Sequence, residues 1–576
     1  MKTLFKLLVI AILLNSCTKE VIILEEVIEP DKTAETSLEE LGLTYSKTVN
    51  PNDAINFIEE LKSEDSALII VSTSITIDQE FLDPDSKTTN KILKFEEAGQ
   101  LVFSNNSFIN FQGYLYANPF SHIFNIDGTT STPLSENLKN DIIYPDWFGA
   151  ITYKDYNKNY NSVYDNSKAI QFSLDIASAR TVIQRDYSHN KYHYNGKKVK
   201  LNTGFYGIKN KLNLPSGVEL FGNGQSKSWI FDAYKDGLDL MIEIKSEKWD
   251  ESLPDKDSTG AVNVKNIIFA GNININNIGF KGVGANSSGT NNWKTKRILK
   301  ATEAVYNFTI DDCRFEKAHD LIWFYRCFGD VTIKNSNLSF GIGSAINIKE
   351  SHSFNLENCR VENIRNLNET KRSAALIIST SQPVSVNNSV FQFNDAYAIW
   401  ALQANQLNVT NCYFEDNFIK SSSTEDVRVN GYNIVCKNTV QANITDNSFA
   451  FARDLKQTLS NGEQKVFVHG VLFDNTRLAK FDGNRITNKI RGNEETDKDK
   501  EGYPFPREFH SFEQTVVVSG TDYYLKIIGM DEDPSCLSSN TPECQEMRRK
   551  YIIQNNFVDT DYTRNLEDDE KPHYLK

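Results

Sequence analysis

Two adjacent carboxylates stand in the stretch "FTIDDCRF" at residues 308–315, where Asp311 and Asp312 precede Cys313. Paired acids are what a glycosidase uses, one as general acid and the other as base or nucleophile. The same letters also fit a strand that ends in a turn, which has no chemistry of its own. The choice depends on which structural elements carry the pair and on what lies beside them.

Further acids follow within a few residues. Asp320 is the best single candidate for a catalytic acid, with His319 beside it and Glu350 and Glu362 as candidate partners. Hydrolysis of a glycan needs two carboxyls, about 5–5.5 Å apart in a retaining enzyme and about 6.5–9.5 Å apart in an inverting one. Each of these acids could equally be a solvated turn residue.

Basic residues in the same region fit a different reaction, β-elimination in a uronic-acid glycan. This reaction needs a base at the α-carbon of the uronate and cations that neutralise its carboxylate. Lys349 is a candidate catalytic residue for this reaction and would lie beside Arg326 on the next coil, although these basic residues could instead simply keep a β-surface soluble. The candidate substrate-binding residues would lie near Lys349 or along the same surface: Arg326, Asn347, Arg365, Lys371, Arg372 and Trp400.

An eight-residue pattern recurs along the chain and determines how these residues are placed. Its third residue is apolar, its sixth is mostly Cys, Ser or Asn, and several copies start 23 residues apart. A period near 23 with three short strands per period predicts an all-β solenoid, a parallel β-helix, preceded by a short helix in residues 51–66. Copies include "FTIDDCRF" (308–315), "VTIKNSNL" (331–338), "FNLENCRV" (354–361), "VSVNNSVF" (384–391) and "LNVTNCYF" (407–414).

The repeat also assigns roles to Asp311, Asp312 and the cysteines. Lys334-Asn335 and Glu357-Asn358 replace the Asp pair on other coils, so the pair is predicted to mark a coil corner rather than a catalytic site. Cysteines at the sixth position are predicted to be buried thiols, not nucleophiles. They are Cys313, Cys359 and Cys412.

Long insertions fall at one corner of the coil and would form the wall of a groove along the neighbouring sheet, which suits a linear polymer. Alternation along that sheet points Asn347 and Lys349 into the groove. On the preceding coil the same alternation predicts that Asp320, Phe324 and Arg326 point outward. It predicts that Trp323 and Tyr325 are buried. On the following coils it points outward Ile377, Ser379, Trp400 and Leu402. His469, several coils away, is predicted to be structural.

Three segments resemble the N-terminal portion of the pectate-lyase-like superfamily of right-handed parallel β-helix proteins: "YPDWFGA" (144–150), "SKAIQFSLDIA" (167–177) and "VKLNTGFYGIKNKLNLPSGVELFGNG" (199–224). The superfamily includes polysaccharide lyases, glycoside hydrolases and phage tailspike depolymerases. The resemblance implies a right-handed single-stranded helix and a glycoside hydrolase acting on an anionic, uronic or sulfated glycan. A lyase and a non-catalytic glycan-binding protein remain the alternatives, because one fold hosts many reactions.

The N-terminus predicts export and a lipid anchor. Residues 1–16 have two lysines and a short apolar run, typical of a signal peptide, and Cys17 after a small residue resembles a bacterial lipobox. An outer-membrane lipoprotein that faces the cell surface or the periplasm is expected. Residues 17–50 would be an acidic tether, 51–140 a β-rich lead-in, and 141–576 the helix.

Charge and cysteine usage limit the partners. The net charge of −14, without a long basic run, argues against nucleic acid. No zinc-ligand spacing occurs and no cofactor is required, although acidic loops such as "NEETDKDKE" could hold calcium. Cys536 and Cys544 could form a disulfide in an oxidising compartment. We expect a monomer.

Overall fold

A computed structural model describes most of the chain between residues 43 and 559. Within that range it leaves out residues 84, 105–106, 127–133, 135–137, 155–161, 179–195, 249–266, 269, 285–292, 304–305, 366–373, 416, 418–431, 452–455, 459–463, 467–468, 475, 477, 489–515, 520–550 and 555–556. The predicted signal peptide, the "NEETDKDKE" loop, Cys17, Lys371, Arg372, Cys536 and Cys544 lie outside the described residues.

The chain forms a parallel β-helix in which each coil contributes one strand to each of three long parallel sheets, as the repeat predicts. Sheet A has twelve strands among the described residues: β10 (Ile142–Ile143), β11 (Lys198–Lys200), β14 (Glu219–Phe221), β19 (Gly271–Asn276), β22 (Tyr306–Asp311), β25 (Phe328–Lys334), β28 (His352–Glu357), β31 (Gln382–Asn387), β34 (Gln406–Thr410), β37 (Gln441–Thr445), β42 (Leu478–Asp482) and β45 (Tyr551–Gln554).

Sheet B follows sheet A in every coil. Its described strands are β12 (Gly204–Ile208), β15 (Ser228–Asp232), β20 (Gly279–Lys281), β23 (Arg314–Glu316), β26 (Asn337–Ser339), β29 (Arg360–Glu362), β32 (Val390–Gln392), β35 (Tyr413–Glu415), β38 (Ser448–Phe451), β43 (Arg485–Asn488) and β46 (Phe557–Asp559).

Sheet C completes the coil and carries the predicted groove. Its described strands are β13 (Leu212–Asn213), β16 (Ile242–Lys245), β21 (Arg297–Thr302), β24 (Asp320–Tyr325), β27 (Ser344–Lys349), β30 (Ala374–Ser379), β33 (Tyr397–Leu402), β36 (Tyr432–Lys437), β41 (His469–Asp474) and β44 (Val516–Ser519). The predicted insertions all lie between a strand of sheet B and the next strand of sheet C. Two antiparallel hairpins branch from the stack, β17 (Glu247–Lys248) with β18 (Ile267–Ile268) and β39 (Lys456–Thr458) with β40 (Gln464–Val466).

The β-rich N-terminal segment also coils, on a smaller scale. Helix α1 (Ala54–Lys62) begins at Asp53, whose carboxylate accepts the Asn56 N–H at 2.8 Å, and buries Phe57 and Leu61. Three short parallel sheets follow, built from β1 (Lys47–Val49), β2 (Ala67–Val71), β3 (Ser74–Ile77), β4 (Glu80–Phe81), β5 (Lys91–Phe95), β6 (Gln100–Phe103), β7 (Phe108–Ile109), β8 (Tyr114–Tyr116) and β9 (Phe124–Asn125). Among the described residues, no helix is long and apolar enough to cross a membrane.

The corner between sheets A and B is made by residues in the left-handed conformation. Asp312 (φ 46°) occupies this corner, and its counterparts include Asn335, Asn358, Asn388 and Asn411, all with positive φ. Asn and Asp tolerate this conformation better than other residues with a side chain. The prediction that the Asp311–Asp312 pair marks a corner is therefore confirmed.

We expect Asn358→Val to lower the free energy of unfolding by about 1–3 kcal/mol, because a β-branched residue is strained at a φ of 49°. Asn358→Gly removes that strain and loses only the side-chain hydrogen bond to Asn335 Oδ1, at 2.7 Å. Urea unfolding of both variants is the measurement. Equal midpoints for the Val and Gly variants would contradict this account of the corner.

The sixth position of the repeat forms a ladder inside the stack. The backbone N–H of Cys359 donates to Ser389 Oγ at 3.1 Å, and that of Cys412 donates to Asn447 Oδ1 at 2.9 Å, each on the next coil. Burial raises the pKa of both thiols to about 12. The predicted cysteines are thus buried thiols, and they are in the wrong protonation state for a nucleophile.

The segment "YPDWFGA" closes the N-terminal end of the main stack. Pro145–Phe148 form a 3-10 turn that ends in the left-handed Gly149, and helix α2 (Ser167–Ala177) packs beside it. Within the turn, Asp146 is 7% exposed, and its carboxylate accepts a hydrogen bond from the Tyr206 hydroxyl at 3.0 Å. Burial raises the pKa of Asp146 to about 6, and the hydrogen bonds only partly oppose this rise.

Asp146 should make the protein less stable as the pH rises. Its folded pKa lies above the unfolded value, so the folded state binds the proton more tightly, and stability falls as the pH rises between the two pKa values and levels off above about pH 6. Between about pH 4 and pH 8 the stability of the wild type should fall by about 3 kcal/mol relative to Asp146→Asn. Melting of both proteins across this range is the measurement. A constant difference between them would contradict the prediction.

Candidate functional site

The outward face of sheet C presents two rows of side chains that face away from the core. Lys349 stands level with Tyr325 on the preceding coil and with Ser379 on the next one. Asn347 stands level with Trp323 and Ile377, and Trp400 continues this second row. Asn347, Lys349, Ile377, Ser379, Trp400 and Leu402 are outward, as the sequence predicts.

The predicted orientation of strand β24 is wrong by one residue. Phe324 is fully buried, whereas Trp323 and Tyr325 point outward. The interior of this strand takes Ile322 and Phe324, because Trp and Tyr have polar groups that are costly to bury without a partner. Arg326 follows the strand in a left-handed corner, level with Glu350 rather than with Lys349.

A cluster of one aromatic ring, two cations and one acid stands where β24 and β27 end. The Lys349 ammonium lies 5.4 Å from the centre of the Tyr325 ring, and the Arg326 guanidinium lies 4.9 Å from it. Glu350 accepts from Arg326 Nε at 2.9 Å and lies 3.6 Å from Lys349 Nζ. The hydrogen bond to Arg326 lowers the pKa of Glu350. The cluster is therefore a part-exposed cationic site with its own counter-ion.

A second aromatic–cation pair lies where β21 and β24 begin. The guanidinium of Arg297 lies 3.6 Å from the centre of the Trp323 ring and 3.2 Å from the Asp320 carboxylate. Burial lowers the pKa of Arg297, and Asp320 partly offsets this effect. Asp320 also accepts from Ser344 Oγ at 2.9 Å, and a Cβ at Gly343 would stand 2.7 Å from the carboxylate. Asp320 is thus held in place by its neighbours.

The structure does not bring the candidate acids together. Asp320 stands level with Ser344, six residues before Glu350. At about 3.3 Å per residue, their backbones are about 20 Å apart along the strands, well beyond the about 5–9.5 Å that a glycosidase pair requires. Glu362 lies on sheet B, where it pairs with Arg360. Neither Glu350 nor Glu362 is therefore a partner for Asp320.

The other candidates have varied positions. His319 lies at the corner before β24, where its carbonyl accepts from the Gly343 N–H at 2.8 Å. Arg365 begins the insertion after β29, and its N–H donates to the Gly341 carbonyl. His469 begins β41, four strands along sheet C from β27. Neither Arg365 nor His469 belongs to the two aromatic–cation groups described above.

The distal part of the same face is apolar. Tyr397, Tyr432 and Val435 are 4%, 7% and 2% exposed, and they pack with Trp400 and Ile377. The Tyr397 and Trp400 rings lie 5.3 Å apart. The row of Asn347 on this face therefore changes from aromatic and polar around β21–β27 to apolar around β30–β36, where Ile377, Trp400 and Val435 follow. Among the described residues, no cluster of His, Cys, Asp and Glu could hold a metal ion.

Comparisons with known proteins concern the fold. Residues 321–497 match the family described as a right-handed beta helix region. No curated protein sequence matches the chain. Similar solved structures include the gp42 tailspike of Acinetobacter phage vb_AbaP_AS12, at 12% identity over 75% of this chain and 67% of that one (TM-score 0.36). Another is the lidless DFA-IIIase of Arthrobacter chlorophenolicus A6, at 11% identity over 62% and 90% (TM-score 0.38).

A third similar structure is the A-module of the mannuronan C-5 epimerase AlgE4 of Azotobacter vinelandii, at 14% identity over 60% of this chain and 95% of that module (TM-score 0.29). The family match over 321–497 lies inside a coil stack that runs from β10 to β46. The chain therefore has the right-handed parallel β-helix fold.

Proposed function

We propose that the protein binds an anionic glycan along the outward face of sheet C and cleaves it there. The observation that carries this proposal is the cluster of Tyr325, Arg326 and Lys349, a pair of part-exposed cations around an aromatic ring. Cations bind the carboxylate or sulfate of such a glycan, and an aromatic surface packs against its sugar rings. The resemblance of residues 144–224 to pectate-lyase-like proteins agrees with this substrate class.

We propose β-elimination as the reaction. Arg326 would take the uronate carboxylate in place of Glu350, which lowers the cost of forming the carbanion. The amine of Lys349 would remove the proton from the α-carbon. The bond from the β-carbon to the leaving oxygen breaks as a carbon–carbon double bond forms, and the Tyr325 hydroxyl gives its proton to that oxygen. All the groups required lie on two adjacent coils.

Hydrolysis is the second candidate, with Asp320 as the acid. The observation in its favour is that Asp320 lies on the same face, with its side chain 26% exposed beside the Arg297–Trp323 pair. A second carboxyl at a suitable separation is needed for that reaction. The candidates Glu350 and Glu362 do not provide one, so elimination is the better supported reaction.

Product analysis on a panel of plant and algal anionic polysaccharides tests the proposal. Ultraviolet absorbance from an unsaturated uronide indicates elimination, and new reducing ends without that absorbance indicate hydrolysis. Asp320→Asn should leave elimination unimpaired and should abolish hydrolysis. Retention on the polysaccharide with neither product would reduce the proposal to glycan binding. Turnover of neutral dextran at the same rate would refute the anionic specificity.

We also propose that the protein is anchored to the outer membrane through a lipid on Cys17. The support is the lipobox-like "LLNSC" that follows a short apolar run. Cys17→Ser should move the expressed protein from the membrane fraction to the soluble fraction, because the lipid would be lost. Fractionation and immunoblotting measure this. A variant that stays with the membrane would contradict the anchor.

A further inference from the structure

Three polar side-chain atoms on the outward face of sheet C have no hydrogen-bond partner among the described residues. They are Nε of Arg297, Nε1 of Trp323 and Oγ1 of Thr302, and all three are shielded from solvent. Two are obligate donors, and the hydroxyl can donate as well. Shielded donors without acceptors are unfavourable and uncommon in folded proteins. Their concentration on two adjacent strands suggests that acceptors come from a ligand.

The surroundings of these atoms select an anion. The Arg297 guanidinium lies 3.6 Å from the centre of the Trp323 ring, and Asp320 accepts a hydrogen bond from only one of its terminal nitrogens. Lys300 stands level with Trp323 on the preceding coil, and Glu243 stands level with Lys300 on the coil before that. A planar guanidinium binds oxyanions such as carboxylate and sulfate through paired hydrogen bonds. An oxyanion would therefore satisfy the unpaired donors of Arg297 and Trp323.

The patch adjoins the proposed reacting cluster without coinciding with it. Thr302 stands level with Tyr325 on the preceding coil, and Trp323 lies two residues before Tyr325 on the same strand. The separation along the strand is about 7 Å, and neighbouring coils are about 4.8 Å apart. A ligand group at Arg297 would thus belong to a sugar beside the one that meets Tyr325 and Lys349.

We propose that Arg297 and Trp323 form a subsite for a sulfate or carboxylate on the sugar next to the reacting one, whereas Thr302 lies about 16 Å from Arg297 along β21, level with Tyr325. The inference rests on the proposed function, in that it needs a glycan on this face. When the subsite is occupied, the Arg297 side chain moves off the Trp323 ring, which exposes its Nε to the anion and the ring to the sugar. Two separate groups of residues would then bind the charged groups of two neighbouring sugars.

Binding to short probes of defined charge tests the subsite. Calorimetric titrations use oligogalacturonate, low-mass dextran sulfate and neutral dextran oligosaccharide with wild type, Arg297→Ala, Trp323→Phe and Lys437→Ala. Arg297→Ala should lower the affinity for the preferred charged probe by about tenfold or more, and should change the affinity for neutral dextran by less than about twofold. Trp323→Phe keeps a ring and loses one donor, so a loss of about threefold is expected. Lys437→Ala removes a cation of the same sheet, paired with Asp474 at 2.8 Å, and should change little.

Tryptophan fluorescence gives a second measurement. The charged probe should change the emission of the wild type, and this change should be largely lost in Trp323→Phe. A carboxylate subsite prefers oligogalacturonate, and a sulfate subsite prefers dextran sulfate. If Arg297→Ala loses as much affinity for the neutral probe as for the charged probes, the inference is overturned. It is also overturned if the wild type binds neither charged probe. A fluorescence change in Trp323→Phe as large as that of the wild type would overturn it as well.

The product analysis separates failure of the subsite from failure of the proposed reaction. If unsaturated products form but Arg297→Ala binds every probe like the wild type, the subsite is refuted and elimination stands. If Arg297→Ala loses affinity only for the charged probes and the wild type forms no unsaturated product, the subsite stands and elimination is refuted. The melting temperatures of Arg297→Ala and Trp323→Phe serve as the folding control. If they lie within a few degrees of the wild-type value, a loss of binding is not caused by unfolding.

Discussion

Lys349→Ala is expected to lower kcat on a uronic-acid polymer by roughly 10²–10⁴-fold, the usual contribution of a positioned general base. The side chain of Lys349 is 47% exposed, so its removal leaves no cavity in the core. Binding should suffer less than turnover, because Arg326 remains to hold the substrate carboxylate. The measurements are initial rates of unsaturated product formation and, separately, the affinity for oligogalacturonate.

Two further variants show whether the effect belongs to the base. Lys349→Arg keeps the charge but cannot act as a base near neutral pH, because a guanidinium stays protonated. It should therefore bind well and turn over poorly. Lys437→Ala removes a lysine from the same row of sheet C, three strands away, and should leave kcat near the wild-type value. Near-normal turnover by Lys349→Ala would exclude this residue as the base.

The repeat predicted the coils and corners because its signal is local and recurs. Each copy places an apolar residue inward and a small polar residue at the corner, so Asp312 could be assigned by comparison with Asn335 and Asn358. The positions of the insertions could be assigned in the same way. No such comparison constrained the start of sheet C strands, since that part of the coil does not share the eight-residue pattern.

Strand β24 shows why the orientation prediction failed. The letters "DLIWFYR" allow two alternations, one burying Trp323 and Tyr325 and one burying Ile322 and Phe324. Alignment with "SAINIKE" resolves them, because Ile346 and Ile348 are inward and stand level with Ile322 and Phe324. The signal was thus present in the sequence, but it required the exact register between coils.

The role of Arg297 could not be read from the sequence. It precedes Trp323 by 26 residues, and the two meet only because β21 and β24 are adjacent in sheet C. The wide separation of Asp320 and Glu350 also follows from the register between coils. Asp320 begins strand β24, whereas Glu350 follows the end of the adjacent strand β27. Contacts between side chains of adjacent coils depend on how the coils stack, and the eight-residue pattern does not predict that stacking.

Phe414→Ala should lower the free energy of unfolding by about 3–5 kcal/mol, the cost of deleting a large buried ring from a core that cannot collapse around the cavity. Phe414 is fully buried on β35 and stacks on Phe391 at 5.4 Å and on Phe449 at 5.0 Å. Both contacts are with neighbouring coils, so the substitution weakens two interfaces of the stack at once.

Phe328 provides the matched control for this prediction. It is 45% exposed on sheet A, where its ring faces His352 at 5.4 Å, and Phe328→Ala should change stability by less than about 1 kcal/mol. The urea midpoints of the two variants and the wild type, compared at one protein concentration, measure both effects. Phe414→Leu should fall between them, since it keeps part of the buried volume. If Phe414→Ala unfolds at the same midpoint as Phe328→Ala, the stacked rings do not stabilise the coils as argued.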